Sequence, residues 1–284
     1  MATNISDRNG RALEYKLVDT LSAQPNFSLT AQAVAHNSRD LPKFQALPST
    51  LKTAYTSASN TIVTWVIQNI KSNSPALVDR LIDDPNSVAD VVITTSSNTL
   101  ELSLKHNHQA LKHPRPYSFA QFCGYSTGSA QDLQHRKLID AVVANFRGSV
   151  GSTSLFNQCA SVAIDNLYLG VCNSCATSLN NWTKIDKAVA GNLFKFLVST
   201  GYYKVIVETR SSVVVKVQDY FSIPTPSKVS CSVSGNRLVL KFNNGWEINL
   251  RIHTASSRIS KTGNQLSLKF DAQRTQGLIA EKTI

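Results

Sequence analysis

The hydrophobic period of this sequence changes from helical to strand-like twice, first near residue 88 and again beyond Gly201. Between these points, apolar residues spaced as on one helix face predict three long helices. They are Ala130–Phe146, Leu155–Leu179 and Trp182–Val198. Alternating apolar residues predict a β-hairpin over residues 88–105 and a series of strands after Gly201. This mixture predicts an α/β fold: a mixed central sheet flanked by helices, with a β-rich C-terminal portion.

The N-terminal part of the chain is predicted to be mainly helical before the hairpin. Its helical segments are Asn9–Leu21 after the capping residues Ser6 and Asp7, Phe27–Ile70 with breaks at Pro42 and Pro48, and Ala76–Ile82. No repeat and no low-complexity linker divides the chain. We therefore predict two fused portions. Residues 1–200 contain the helices and the hairpin, and residues 201–284 form the β-rich portion.

Positive charge dominates the composition, because 29 Lys and Arg residues against 18 Asp and Glu give a net charge of +11. A chain with this excess attracts polyanions, so nucleic acid is the first expected partner and an anionic membrane surface the second. No apolar run reaches the ~18 residues that span a bilayer. The polar start lacks the apolar core of a secretory signal. We therefore expect an intracellular, cytoplasmic protein that has no membrane partner.

The second strand of the predicted hairpin, Thr99–Lys105, separates apolar from polar side chains. Its leucines alternate with Glu101, Ser103 and Lys105, so the three polar side chains share one face of the strand. Asp90 opens the neighbouring strand. An Asp beside a polar residue and a Lys is the arrangement with which a hydrolase binds Mg²⁺ and activates water. The alternative is an exposed hairpin edge whose polar side chains only meet solvent.

Glu14 lies on the apolar face of the first predicted helix, together with Leu17, Val18 and Leu21. A carboxylate that points toward the interior is costly unless it meets a cation or a metal. Glu14 is therefore expected either to form a salt bridge or to add a carboxylate to a metal site at the hairpin.

A basic segment follows the hairpin directly. From Lys105 to Arg115 the chain contains three of its six histidines, two lysines and an arginine. Side chains of these types bind phosphate groups. The predicted DNA-contacting residues of this segment are His106, Asn107, His108, Lys112, His113 and Arg115.

Several motifs, spread from near one end of the chain to near the other, are similar to those of one enzyme family. They are Gly10–Glu14, Ala89–Val91, Leu102–His108 with Leu111–Arg115, Trp246–Arg258 and Leu266–Asp271. On these motifs the chain resembles type II restriction endonucleases of the PD-(D/E)XK superfamily, of the HaeIII type. The Lys-His-Asn-His and Arg-Ile-His-Thr-Ala-Ser-Ser blocks are the most specific, because an acidic residue two positions before a Lys is common by chance.

The resemblance implies Asp90 as the metal-binding Asp and Lys105 as the catalytic Lys. Glu14 would match the carboxylate that many of these nucleases add from a helix. The family has Asp or Glu two residues before the Lys, where this chain has Ser103. Either Glu101 reaches the metal from its displaced position, or Ser103, a water molecule and Glu14 complete the metal shell. The implied cofactor is Mg²⁺, with Asp90, Glu101 and Glu14 as candidate ligands.

The resemblance also implies a fold, a substrate and an assembly. The fold would be a restriction-endonuclease-like core with the hairpin at the edge of a DNA-binding cleft. The activity would be hydrolysis of double-stranded DNA at a short palindromic site, GC-rich and GGCC-like, by a homodimer. Further DNA contacts are expected from the late motifs: Arg251, His253, Arg258 and Lys269.

Two other functions remain open. The chain could be a catalytically inactive or non-restriction nucleic-acid-binding protein of the same fold, with Ser103 marking a lost active site. It could also be an RNA-processing or repair nuclease of the same superfamily, which would not prefer one palindromic duplex.

The cysteines offer a further alternative. Cys172 and Cys175 form a CxxC pair, and with Cys159 upstream they could hold a structural zinc ion. The pair falls in a segment with helical spacing, which favours buried free thiols instead.

Overall fold

The computed structural model describes residues 5–70, 75–81, 88–108, 111–261 and 266–284. Within these residues the protein has a mixed α/β fold, with a seven-stranded mixed sheet flanked by helices and a four-stranded antiparallel sheet toward the C-terminus. The α/β class and the β-rich C-terminal portion predicted from the hydrophobic period are confirmed. No helix of the described part is long and apolar enough to cross a membrane.

The described secondary structure consists of helices, strands and two short 3₁₀ turns, at Pro116–Ser118 and Phe156–Gln158. The helices are α1 (Ile5–Ser22), α2 (Ala31–Gln45), α3 (Ser49–Ile70), α4 (Phe119–Phe122), α5 (Ala130–Val150), α6 (Ser161–Ile185) and α7 (Ala188–Val198). The strands are β1 (Phe27–Leu29), β2 (Ala76–Arg80), β3 (Val91–Thr94), β4 (Thr99–His106), β5 (Tyr203–Glu208), β6 (Val214–Asp219), β7 (Val229–Ser234), β8 (Arg237–Phe242), β9 (Glu247–Thr254), β10 (Leu268–Gln276) and β11 (Ala280–Thr283).

The chain divides into two compact units, each built from more than one stretch of sequence. The first unit comprises Met1–Gln109, Thr200–Ile223 and Ile279–Ile284, and the second comprises Ala110–Ser199 and Pro224–Leu278. This division differs from the single boundary expected after residue 200. Strand pairing is the reason, because β5 extends the sheet from β4, β6 pairs with β5, and β11 pairs with β6.

The described sheet of the first unit has the strand order β1-β2-β3-β4-β5-β6-β11. The β1–β2 and β4–β5 pairs are parallel and the other pairs are antiparallel. The predicted hairpin is confirmed as β3 and β4. Its turn is closed by a hydrogen bond of 2.8 Å from Thr95 N to Asn98 O.

The core of the first unit contains apolar residues of α1, α3 and one face of the sheet. Leu13 and Leu17 of α1 are fully buried there with helical spacing. The leucines of β4 belong to the same core, which confirms the alternation predicted for this strand. Glu101, Ser103 and Lys105 therefore lie on the opposite face of the sheet.

Local predictions in the N-terminal part are wrong at four points. Helix α1 begins at Ile5, so Ser6 and Asp7 lie inside it rather than before it. The predicted helical stretch from Phe27 begins with strand β1. Helix α2 continues through Pro42, whose missing N–H removes one hydrogen bond close to the helix end. The predicted helix Ala76–Ile82 is strand β2 over its described part, and Ile82 lies outside the described residues. Strands as short as β1 and β2 contain too few residues to show a hydrophobic period, so their structure is decided by pairing with neighbouring strands.

The second unit combines four helices with the antiparallel sheet β10-β9-β8-β7 within its described residues. Helices α5, α6 and α7 confirm that three helices occupy the middle of the chain, but α6 begins at Ser161 rather than Leu155 and continues through Trp182 to Ile185, so α7 begins only at Ala188. Helix α6 packs against β7, β8 and β9. The predicted turn Asn243–Gly245 joins β8 and β9, with Gly245 at a φ of 85° that favours glycine.

Candidate functional site

Asp90 is positioned by the main chain at the start of β3. Its N–H donates to Leu102 O (2.8 Å), and its carbonyl accepts a hydrogen bond from Leu81 N (3.1 Å). Because Val91 pairs with Leu102, Asp90 comes directly opposite Ser103 on β4. The antiparallel register therefore directs the Asp90 side chain to the face that carries Ser103 and Lys105.

The carboxylate of Asp90 contacts three groups of β4 through one oxygen. Asp90 Oδ2 accepts a hydrogen bond from Leu104 N (2.7 Å) and lies 3.3 Å from Lys105 Nζ and 3.4 Å from Ser103 Oγ. The Asp90 and Lys105 side chains are 22% and 24% exposed. The structure thus brings together the two residues on which the predicted site depends, in a position that solvent and ligands can reach.

Glu101 shares the face of Asp90 but lies further along it. It pairs with Val92, two residues from Asp90, which makes Glu101 a diagonal neighbour of Asp90, about 7–8 Å away across the hairpin. Burial raises the pKa of Glu101 above its usual value. A half-buried carboxylate at this distance can face a ligand held at Asp90 without touching Asp90 itself.

Glu14 takes the salt-bridged form that the sequence left as one of two alternatives. Its Oε2 lies 2.9 Å from Arg80 Nη2 and 3.3 Å from Arg11 Nη1. Arg80 is fully buried on β2 and also contacts Asp40 Oδ2 at 2.8 Å. Burial and the charge of Asp90 raise the pKa of Glu14, while the two arginines oppose the shift. Glu14 and Asp90 are therefore close enough to interact electrostatically.

The fit of these residues to Mg²⁺ depends on Asp90. Among the described residues, no group of three His, Cys, Asp or Glu side chains is arranged to hold a metal ion. Asp90, however, is a partly exposed carboxylate with a hydroxyl group and an ammonium group beside it. Mg²⁺ is commonly bound by one or two carboxylates, water and substrate phosphate oxygens rather than by a complete protein cage. Asp90 fits this role, and Glu101 and Glu14 are the other two predicted ligands.

Lys204 is a residue of this face that the sequence analysis missed. It pairs with Ser103 across the parallel β4–β5 ladder and is only 2% exposed. Its Nζ lies 4.8 Å from the centre of the Tyr220 ring, which stacks on Tyr202 at 4.6 Å. The sequence signal was a Lys directly before the apolar run Val205–Val207, and only the pairing of β4 with β5 places it beside Ser103.

The basic segment after β4 is divided between the two units. His106 and Asn107 belong to the first unit and make local contacts: His106 Nε2 lies 2.9 Å from Thr209 Oγ1, and Asn107 Oδ1 accepts from Thr209 N (2.9 Å). Burial lowers the pKa of His106. His108 is exposed in the same unit. Lys112 and Arg115 belong to the second unit, where Lys112 Nζ lies over the Phe196 ring and Arg115 is exposed.

Residues of the late motifs gather around Asp271, another residue that the sequence analysis did not select. Asp271 Oδ1 lies 3.0 Å from His253 Nε2 and 3.2 Å from His113 Nδ1, and Asp271 Oδ2 lies 3.2 Å from Arg251 Nη2. Lys269 pairs with His253 on the same face of β9 and β10. Arg258 is exposed outside this group. The second unit thus carries a basic surface, defined by His113, Arg251, His253 and Lys269, with one carboxylate inside it.

The charges of this basic surface influence one another. The pKa of Asp271 is lowered overall. Burial by itself would raise it, but the contacts with His253 and Arg251 have the larger combined effect. Burial lowers the pKa of His113, with Lys269 and His253 adding to this effect and Asp271 opposing it. Asp271 therefore remains charged and offsets part of the positive charge beside it.

The cysteines are free thiols in the second unit. Cys172 and Cys175 lie in α6, which confirms the helical setting predicted for the CxxC pair. Burial raises the pKa of Cys172 to about 12 and that of Cys175 well above its usual value. Cys159 lies at the end of the second 3₁₀ turn and is less buried. The thiols of Cys172 and Cys175 therefore stay protonated near neutral pH, whereas the form of cysteine that binds a metal is the thiolate.

The geometry of the first unit can bind an anion or a cation at one place, because a carboxylate, a hydroxyl and an ammonium group meet at Asp90. Groups of these types, placed on the face of a mixed sheet, can hold a metal ion, a phosphate group and a water molecule.

Comparison of this chain with family models, with curated proteins and with solved structures finds no match.

Proposed function

We propose that the protein is a Mg²⁺-dependent endonuclease that hydrolyses double-stranded DNA at a short palindromic site, as type II restriction endonucleases of the PD-(D/E)XK superfamily do. The observation that carries this proposal is the contact between Asp90 Oδ2 and Lys105 Nζ at 3.3 Å on the face of a mixed sheet. The net charge of +11 supports a polyanionic substrate. A restriction function would place the protein in the cytoplasm.

Each residue of the site has a role that follows from its charge. Bound at Asp90, Mg²⁺ supplies Lewis-acid stabilisation of the charge that develops on the phosphate. Lys105 orients the attacking water and favours its deprotonated form through its positive charge. Ser103 Oγ and Leu104 N hold the Asp90 carboxylate in place. Glu101, diagonal to Asp90, and Glu14, beside Arg80, are the candidates for a second carboxylate.

The basic surface of the second unit supports DNA binding. Arg251, His253 and Lys269 share one face of β9 and β10 and can contact phosphates or guanine edges. Bidentate contacts from Arg or Lys to guanine O6 and N7 would suit a GC-rich, GGCC-like site. A palindromic site would be read by a homodimer, because the two-fold axis of the protein then matches that of the DNA.

Digestion of a plasmid of known sequence tests the proposal. Purified protein is incubated with Mg²⁺ or with EDTA, alongside the Asp90→Ala and Lys105→Ala variants. We expect discrete fragments that require Mg²⁺ and are lost in both variants. The fragment ends would then define the recognition sequence. RNA and random-sequence duplex serve as competitors, because an RNA-processing or repair nuclease would not prefer one palindromic duplex.

A DNA-binding protein without catalytic activity is the second candidate function. Ser103 favours it, since the second carboxylate of the family pattern is missing at this position. In that case the plasmid stays intact with Mg²⁺ while the protein still retards DNA in a gel. That result would contradict the endonuclease.

A further inference from the structure

A pocket of about 400 Å³ lies on the same face of the first unit as the candidate active site. It is formed by the end of β4, by β5 and β6, and by the turn that joins β5 to β6. The residues that matter for its chemistry are Asn107, His108, Ile206, Glu208, Arg210 and Val214. Its volume falls within the ~300–1,000 Å³ of small-molecule sites.

The pocket begins beside Lys105. Lys105 pairs with Ile206 in the parallel β4–β5 ladder, and paired residues of a sheet point to the same face. Neighbouring strands lie about 4.8 Å apart, so the pocket wall at Ile206 is the lateral neighbour of the candidate catalytic lysine. A group bound in this pocket would adjoin a phosphate held at Asp90 and Lys105.

The lining of the pocket combines an apolar wall with hydrogen-bond donors. Val214 is partly exposed and provides apolar surface, and Ile206 is a buried part of the pocket wall. Arg210 and the two serines that follow it are exposed and line the pocket with a guanidinium group and hydroxyl groups. The one acidic residue among the lining residues, Glu208, is neutralised by Lys216, whose Nζ lies 2.8 Å from Glu208 Oε1. Such a lining suits a flat, weakly polar ring that is joined to an anionic group.

One corner of the pocket is held in an uncommon backbone conformation. Asn107 has a φ of 57°, a left-handed conformation that few residues other than glycine adopt. It is maintained by hydrogen bonds from Asn107 N to Val207 O (3.0 Å), from Thr209 N to Asn107 Oδ1 (2.9 Å), and from Asn107 Nδ2 to Thr209 Oγ1 (3.2 Å). These hydrogen bonds fix the position of Asn107 at this corner of the pocket.

We propose that this pocket binds a single nucleotide, with its base against Val214 and its phosphate at Arg210. The inference rests on the proposed nuclease function, which makes a nucleotide the available ligand beside Lys105. The nucleotide could belong to the substrate strand, displaced from the base stack next to the cleaved bond, or it could be a free mononucleotide. Both share the same chemistry, a base joined to a phosphate.

The binding of 2′-deoxyadenosine 5′-monophosphate to the full-length protein without Mg²⁺ tests this inference by calorimetric titration. Inorganic phosphate and 2′-deoxyadenosine are titrated separately, and we expect each to bind more weakly than the nucleotide. Arg210→Ala should weaken nucleotide binding about tenfold, the usual range for loss of a charged hydrogen bond. Arg237→Ala, which removes an exposed arginine of the second unit, is the matched control and should leave the affinity unchanged. Melting curves verify that both variants are folded.

A second measurement distinguishes the two sources of the nucleotide. Duplex DNA with 2-aminopurine beside the site becomes more fluorescent on binding if the base leaves the stack, and Arg210→Ala should abolish the increase. An unchanged signal with retained mononucleotide binding assigns the pocket to free nucleotides. The pocket inference is overturned if the mononucleotide does not bind at millimolar concentration, or if Arg210→Ala and Arg237→Ala bind it equally well.

Plasmid cleavage by the same preparations keeps the two proposals separable. Nucleotide binding without cleavage contradicts only the nuclease function. Cleavage without nucleotide binding contradicts only the pocket inference.

Discussion

Glu14 and Arg80 form a buried ion pair in the first unit, with Glu14 Oε2 2.9 Å from Arg80 Nη2. The guanidinium group of Arg80 also lies 2.8 Å from Asp40 Oδ2, so one buried cation compensates two carboxylates. Arg80 further donates to Asn37 Oδ1 and to the carbonyl of His36, both at 3.1 Å. This network joins α1, α2 and β2 close to Asp90, whose charge acts on Glu14.

Arg80→Met should destabilise the protein strongly, because it leaves Glu14 and Asp40 buried with less compensating charge. We expect a loss of about 3–5 kcal/mol in the free energy of unfolding, measured by urea denaturation at pH 7. Arg39→Met is the matched control. Arg39 also contacts Asp40, at 3.0 Å, but its side chain is 50% exposed, so the loss should be below about 1 kcal/mol. Equal losses in the two variants would contradict the central role of Arg80.

Asp132→Asn should destabilise the second unit in a pH-dependent way. Asp132 lies in the first turn of α5, where its Oδ2 accepts from Gly128 N (2.8 Å) and lies 2.8 Å from Arg136 Nε. The pKa of Asp132 is lowered overall, because these contacts outweigh burial, which by itself would raise it. The folded protein therefore favours the charged form of Asp132. Its stabilisation is complete above the unfolded pKa of ~3.9 and is lost as the pH falls through the lower folded pKa.

The loss for Asp132→Asn should be about 1–3 kcal/mol at pH 7 and should shrink at about pH 3, as measured by denaturant unfolding at both pH values. Asp165→Asn on α6 is the control, because Asp165 is exposed. A difference between Asp132→Asn and wild type that stays the same at both pH values would show that the charge of Asp132 contributes nothing.

Lys269→Ala should weaken DNA binding and make the DNA affinity less dependent on salt concentration. Each phosphate contact adds about 0.9 to the slope of log K against log salt concentration, so losing Lys269 should lower the slope by about one. Arg251→Ala should have a smaller effect, because Asp271 lies 3.2 Å from Arg251 and offsets part of its charge. Fluorescence anisotropy at several salt concentrations measures both slopes. Lys184→Ala, at the exposed end of α6, should leave the slope unchanged.

Ser103→Asp should lower the Mg²⁺ concentration needed for half-maximal cleavage. It places a second carboxylate opposite Asp90, and two carboxylates bind Mg²⁺ better than one. Without Mg²⁺ the two like charges repel, so the melting temperature should rise more on Mg²⁺ addition than in the wild type. Ser103→Asn has a similar size without the charge and should show neither change. The idea fails if Asp and Asn at position 103 give the same Mg²⁺ response in both assays.

Local pattern was sufficient for the hairpin and for the pair of Asp90 and Lys105 at its open end. The alternation of leucines with Glu101, Ser103 and Lys105 predicted which side chains share a face, and the turn at residues 95–98 predicted which strand lies alongside. Asp90 and Lys105 could be placed together from these signals alone, because a hairpin pairs residues that are close in sequence.

Other parts of the site depend on pairing between distant segments. Lys204 comes beside Ser103 only through the parallel β4–β5 ladder, which joins residues about a hundred positions apart. Strand β2 carries Arg80 to Glu14 although its sequence has no clear period. The approach of His113 to Asp271 likewise has no signal in either segment. Side-chain type predicts that each of these residues needs a partner, but it does not select the partner.

The sequence by itself determined the α/β class, the polar face of β4, the long helices of the middle of the chain and the positive net charge. These properties follow from period and composition, which act over a few neighbouring residues. Only the tertiary structure decided the membership of the two units, the salt-bridged state of Glu14 and the position of Lys204 beside Ser103. The physical reason is that burial and strand pairing act between segments far apart in the chain, where local pattern carries no information about distance.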